Sequence, residues 1–179
     1  MISLRCTATL LKRLRVPVSP TAAATGRLGD WTAKPLRFHG QRLALCTNER
    51  SFLSVVVPTA PVTTFRDRFA GAAQHRINQI PVGASLRLNE VAGLREVRFG
   101  RASNRSVLST MTQLALDAEF WLSDQPLPRS LDLEALGMRL CDTPCSGLST
   151  HWPWLEAELL LAGSIAPESR GLRSRRSVI

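Results

Sequence analysis

Tyrosine is absent from this 179-residue chain, lysine occurs only at Lys12 and Lys34 beside 21 arginines, and no run of eighteen apolar residues is present. Each shortage excludes something. Without a long apolar run there is no sequence signal for a membrane-spanning helix. With six phenylalanines and four tryptophans as the only aromatics, the stacking platforms of the common RNA-binding sheets are missing. The three histidines, His39, His75 and His151, sit in no motif with a nucleophile, which argues against a serine or cysteine hydrolase. Four scattered cysteines suit a reducing cytoplasm, and Cys141 and Cys145 have a spacing that fits no common zinc pattern. No Walker loop, dinucleotide-binding glycine pattern, HExxH or GxSxG occurs. No cofactor and no metal are expected; Cys141, Cys145 and His151 are assigned buried or capping roles.

What the chain has in excess is positive charge, and it is unevenly placed. The formal net charge is +9, but residues 1–105 carry 17 basic and 5 acidic side chains, residues 106–162 carry 2 and 8, and residues 163–179 carry 4 and 1. A basic front, an acidic back and a basic tail result. The preference for arginine over lysine reads as a GC-rich coding background rather than selection for bidentate phosphate contacts.

Taken in order, Ile2, Leu4 and Cys6 alternate as on a strand, and Thr7 opens a short helix with Leu10, Leu11 and Leu14. The first 29 residues hold five basic and no acidic side chains, as transit peptides do, but alternation from residue 2 favours a folded strand. Val16–Gly29 is small, punctuated and aperiodic, which predicts a loop. Three strand-length runs follow, WTAKPLRF, QRLALC and SFLSVVV, separated by turns at His39-Gly40 and Thr47–Glu49, and imply an antiparallel meander. Phe65, Phe69, Ala72, Ala73, Ile77 and Ile80 lie at helical spacing. Residues 84–96 are ambiguous, Val97–Phe99 reads as a last strand, and residues 131–140 are mixed. A break falls at Gln125–Pro128, and Pro153 suits the first turn of a final helix. The pairs Asp117/Glu119 and Glu156/Glu158 read as solvated charge.

The best amphipathic helix is 106–122, where Leu108, Met111, Ala115, Ala118 and Leu122 form a stripe widened by Val107, Leu114 and Trp121. It follows a polar corner, Arg101–Ser106, in which Ser106 is expected as N-cap, with Asn104 as its competitor. Arginines beside a helix N-terminus suit an anion, so Arg101, Asn104, Arg105 and Ser106, with Asn48, are the candidate ligand-binding residues.

LGDW at 28–31, TNERSFLSVVVP at 47–58, NRSVLSTMT at 104–112 and DTPC at 142–145 occur in the order seen in an uncharacterised bacterial domain-of-unknown-function family, which the chain resembles over about 160 residues. That resemblance implies no activity. The chain has Ser109 where the family pattern has Gly, and Thr112 where it has Asn.

The resulting expectation is one α+β domain over 1–162, an antiparallel sheet of four to five strands covered by about four helices near 8–15, 64–80, 106–122 and 153–162, with 163–179 a disordered basic tail. The expected role is that of a cytoplasmic binding or regulatory module with a protein partner. The alternatives are weak, sequence-tolerant nucleic-acid binding through the basic front, and binding of or catalysis on a small anionic ligand at the 101–106 corner.

Overall fold

The computed structural model describes residues 1–20, 24–38, 40–123 and 131–164, without the side chains of Leu122 and Ser123. His39, the break at Gln125–Pro128 and the tail from 165 onward lie outside the described residues.

The strand runs predicted from alternation form β1 (Ile2–Cys6), β2 (Trp31–Phe38), β3 (Gln41–Asn48), β4 (Ser54–Pro58) and β5 (Val97–Arg101). They make one five-stranded sheet in the order β4-β3-β2-β1-β5. The meander β2-β3-β4 is antiparallel, as its two turns require. β1 lies parallel to both β2 and β5, which refines the expected all-antiparallel pairing to a mixed sheet within the α+β class. The reason lies in the connections. The chain from β1 to β2 contains a helix, and the chain from β4 to β5 contains two, and crossovers of that length return a strand parallel to its neighbour.

Helices cover both faces. Alternation sends Leu4, Cys6, Trp31, Ala33, Ala44, Cys46, Val55, Val57 and Phe99 to one side, where they pack under α1 (Ala8–Leu14), α2 (Phe65–Asn78), α3 (Ala84–Leu94) and α6 (Pro153–Ala162). Leu36, Leu43, Leu45 and Val56 point to the other side, under α4 (Arg105–Ser123) and α5 (Leu133–Cys141). Among the described residues six α-helices therefore stand where about four were expected. The ambiguous stretch at 84–96 is α3. The mixed stretch at 131–140 is α5, opened by Asp132, whose carboxylate accepts from the Ala135 amide at 2.9 Å.

α5 closes the β4 edge. The Ser54 amide donates to the Cys141 sulfur at 3.2 Å and the Cys141 thiol donates to the Ser54 carbonyl at 3.4 Å, so a side chain takes the place of a sixth strand. Behind it lies Arg76 of α2, fully buried, with its guanidinium 3.1 Å from Glu134 and 5.4 Å from the centre of the Trp154 ring. Only a glycine at 137 leaves room for it, because a Cβ there would meet Arg76 Nη2 at 2.8 Å. α6 ends on Gly163 at φ 78°, with the amides of Gly163 and Ser164 bonded back to Leu160 and Leu159. Glu156, read as solvated, is buried instead. Its Oε2 accepts from Ser149 Oγ, the Thr150 amide and Thr150 Oγ1, and it caps the turn before its own helix.

All four cysteines are reduced and buried. Burial pushes the Cys6 and Cys141 thiols up to about 12, and Cys46 well above its ordinary range. At neutral pH a thiol near 12 is ionised to only about one part in 10⁵, and the thiolate is the reactive form. Labelling of these three residues by a thiol reagent is therefore expected to follow the denaturant unfolding curve; fast stoichiometric labelling of the native protein would contradict their packing.

Glu90 of α3 is a buried carboxylate that accepts from the amides of Arg27 and Leu28. Burial raises its pKa, and those amides, with Arg50 and Arg27, pull in the opposite direction without cancelling the rise. A carboxyl whose folded value exceeds its unfolded value, about 4.3, keeps its proton longer in the folded state. Its stabilising contribution is complete below the unfolded pKa and is lost as pH rises through the folded one. Glu90→Gln is expected to abolish this loss. The stability of the variant minus that of the parent, from urea titrations at a series of pH values, should rise with pH across the window. A difference that falls with pH would reverse the assignment.

Candidate functional site

Strand direction brings the basic side chains to one end. Because β1, β2 and β5 run parallel, their carboxyl ends share one end of the sheet. Arg101 closes β5 there, and Arg37 near the end of β2 faces Arg42 at the start of β3 in register. α2 begins at the same end, directly after β4 and a 3-10 turn at Val62–Thr64, and it carries Arg66 and Arg68 in its first turns. α4 begins there four residues after β5, with Arg105 first. Arg68 donates to the carbonyls of Pro58 and Pro61. Among the described residues the arginine ion pairs involve Arg5, Arg76 and Arg98; Arg15, Arg37, Arg42, Arg66, Arg101 and Arg105 have none.

The geometry at the middle of this end is that of a topological switch point. β1 runs into α1 on one face, and the adjacent parallel β5 runs into α4 on the other, so the two connections part and leave a crevice. On the α1 side is a cleft of about 420 Å³ between Leu14–Pro17 and Val62–Asp67, with Phe99 in its wall. Arg15 and Arg66 line it, the Arg66 guanidinium held 5.4 Å from the centre of the Phe99 ring, and Asp67 is its one carboxylate. A guanidinium stacked on a ring keeps its edge donors free for an oxyanion.

The corner itself differs from expectation in its cap. Asn104, not Ser106, caps α4: its Oδ1 accepts from the Val107 amide at 3.3 Å and its carbonyl accepts from the Leu108 amide at 3.1 Å. The helix thus starts one residue earlier, and Ser106 lies inside its first turn, exposed, its carbonyl accepting from Thr110 Oγ1. Arg101, Asn104, Arg105 and Ser106 are brought together, with both arginines exposed. Thr112 receives Lys34 Nζ at 3.0 Å.

Asn48 is not brought to this corner. It lies on β3, separated from β5 by β2 and β1, about 14 Å at the usual strand spacing. There it is fully buried and fully used: its Nδ2 donates to the carbonyls of Leu28 and Asp30, and its Oδ1 accepts from the amides of Arg50 and Ser51 and from Ser51 Oγ. It fastens the LGDW segment to the TNE segment. Beside it Arg5 of β1 reaches Asp30 at 2.6 Å and Glu49 at 3.1 Å, and Thr32 Oγ1 donates to Glu49 at 2.6 Å. Gly29 sits at φ 74°, where a Cβ would lie 3.0 Å from Arg50 Nε.

The motifs that meet in this way lie within one stretch of chain, and a family model described as a domain of unknown function matches residues 3–156. The chain belongs to the DUF6933 family. The DUF6933 match runs from β1 into the first turn of α6 and contains the Asn48 fastening and the whole arginine rim, and it brings no activity with it. No curated protein and no solved structure matches the chain. Among the described residues of this DUF6933 member no group of three His, Cys, Asp or Glu side chains is placed to hold a metal, and no helix is long and apolar enough to cross a membrane.

The basic front of the sequence includes Arg15 and Arg66, but nothing in it places them at the end of the sheet that Arg101 closes. Their positions along the chain bear no relation to Arg101; the parallel pairing of β1 with β5 is the signal, and it is not periodic. Thermal and urea melts of single alanine variants check the assignment of roles. Asn104→Ala is expected to cost about 0.5–2 kcal/mol as a lost cap, and Ser106→Ala and Arg105→Ala no more than about 0.5 kcal/mol as exposed positions. Asn48→Ala is expected to cost more than any of these, since each buried amide or carbonyl left without a partner costs about 1–3 kcal/mol. A Ser106→Ala loss exceeding that of Asn104→Ala would return the cap to Ser106.

Proposed function

We propose that this domain binds the phosphate backbone of a nucleic acid across the carboxyl end of its sheet, weakly and without strong sequence preference. The observation that carries this reading is the set of six arginines, Arg15, Arg37, Arg42, Arg66, Arg101 and Arg105, gathered at one end of the sheet without ion pairs. They extend from β5 across to the β2-β3 turn, a width of roughly 14 Å or more at normal strand spacing. One small anion does not span that. A chain of phosphates does, and arginine clustered on one face is the electrostatic footprint of such a partner. The shortage of aromatics fits a reader of backbone rather than of bases. Recognition of a single phosphate-bearing metabolite in the Arg15–Arg66 cleft is the second reading, supported by the two guanidiniums that line it.

Anisotropy titrations of labelled single strand and duplex over a series of salt concentrations test the proposal. Affinity is expected to fall linearly on logarithmic axes, each phosphate contact adding about 0.7–0.9 to the slope. Arg101→Ala with Arg105→Ala is expected to weaken binding to all sequences alike and to lower that slope by about 1.5. Binding that ignores salt, or that survives removal of both arginines unchanged, would reject this surface.

A further inference from the structure

On the opposite charge balance lies a second surface. Two adjoining hollows, of about 280 and 510 Å³, share Asp117, Thr143 and Pro144 and together form a groove between α4 and the turn after α5. α4 contributes Gln113, Asp117, Phe120 and Trp121, spaced by three and four residues so that they share one side of the helix. The turn contributes Asp142, with Cys145 nearly buried at the far end. Phe120 is 72% exposed and Leu116, one turn earlier, 55%, an uncommon apolar exposure for side chains of this size.

We infer that this groove docks an arginine-bearing segment of a partner polypeptide. Charge complementarity selects the occupant. Among the acidic residues of 106–162, Glu134 pairs with Arg76, Asp132 caps α5 and Glu156 is buried, while Asp117 and Asp142 line the groove and neither forms an ion pair with a described cation. Gln113 Nε2 donates to Asp117 Oδ1 at 2.9 Å and so fixes that carboxylate while leaving its other oxygen for a ligand. Arg139 also lines the larger hollow, so the two carboxylates exceed the local cation by one. The Trp121 wall beside carboxylates suits a guanidinium, which stacks flat and donates in a fork, better than a compact ammonium. The mainly apolar larger hollow then accepts the methylene stem. The inference is independent of the phosphate-binding reading, since the arginine rim and this groove share no residue.

The test is calorimetric titration of the full chain, free of nucleic acid, with a blocked peptide of alternating glycine and arginine, beside the same peptide with lysine and with glutamate. The arginine peptide is expected to bind, the lysine peptide about threefold or more weaker, and the glutamate peptide not at all. Asp117→Asn with Asp142→Asn is expected to weaken arginine-peptide binding by at least about tenfold, the equivalent of one lost charge contact. Arg101→Ala with Arg105→Ala should leave it unchanged. Circular dichroism of each variant confirms that the fold is kept. No binding of the arginine peptide, equal binding of the glutamate peptide, or indifference to the aspartate changes overturns the inference. So does sedimentation showing a self-associated species that the aspartate changes dissolve, because the occupant would then be a second copy of this chain.

Discussion

The guanidinium of Arg5 holds Asp30 and Glu49 together and so ties β1, between β2 and β5, to the segments that flank β2 and β3. Asp30 ends the long connection from α1, Glu49 begins the turn after β3, and Arg5 sits on the strand between β2 and β5. With the Asp30 carboxylate also accepting from the Ser3 amide at 2.8 Å, the acid binds both the side chain and the backbone of β1. Asn48 completes the arrangement from beneath, with every polar atom of its amide engaged. The cluster is part-buried rather than dry, so its two carboxylates and one guanidinium are satisfied mainly by directed hydrogen bonds, and its value lies as much in fixing the register as in net stability.

With β1 fixed, the distribution of charge follows. Arginine serves two physical purposes in this molecule. Arg5 and Arg76 are struts, each paired with carboxylate, and Gly137 leaves room for Arg76. Of the six arginines at the carboxyl end of the sheet, Arg66 and Arg105 lie in the first turns of α2 and α4, where the helix dipole adds to the positive potential, while Arg37 and Arg42 flank the β2-β3 turn and Arg15 ends α1. Asp117 and Asp142 lie elsewhere, beside α4 and the turn after α5.

Much of this was legible in the chain. Alternation located β2 to β5 and α4 because burying one face of a strand or helix imposes its period on the sequence, and Asn104 was named at the corner, though as the weaker of two caps. Asn48 is used by the fold: a polar residue in a turn motif suggests a ligand, yet the same donors and acceptors are what a buried turn consumes. Glu156 misled in the same way, since two acidic residues two apart on a helix carry no mark of which one turns inward. α5 escaped although Leu133, Leu136, Leu140 and Cys141 lie on one stripe, because nine residues hold little more than two turns and show that period only briefly.

The sequence by itself determined the α+β class, the helix-covered sheet and the membership signalled by four ordered motifs, because local periodicity and turn chemistry act over a few residues at a time. Only the tertiary structure decided that β1 pairs parallel with both β2 and β5, that LGDW and TNE close on each other through Asn48 and Arg5, and that arginines from residue 15 to residue 105 share one end. Those outcomes depend on which distant segments lie side by side, and strand adjacency is set by packing and crossover length rather than by anything a single stretch of chain encodes.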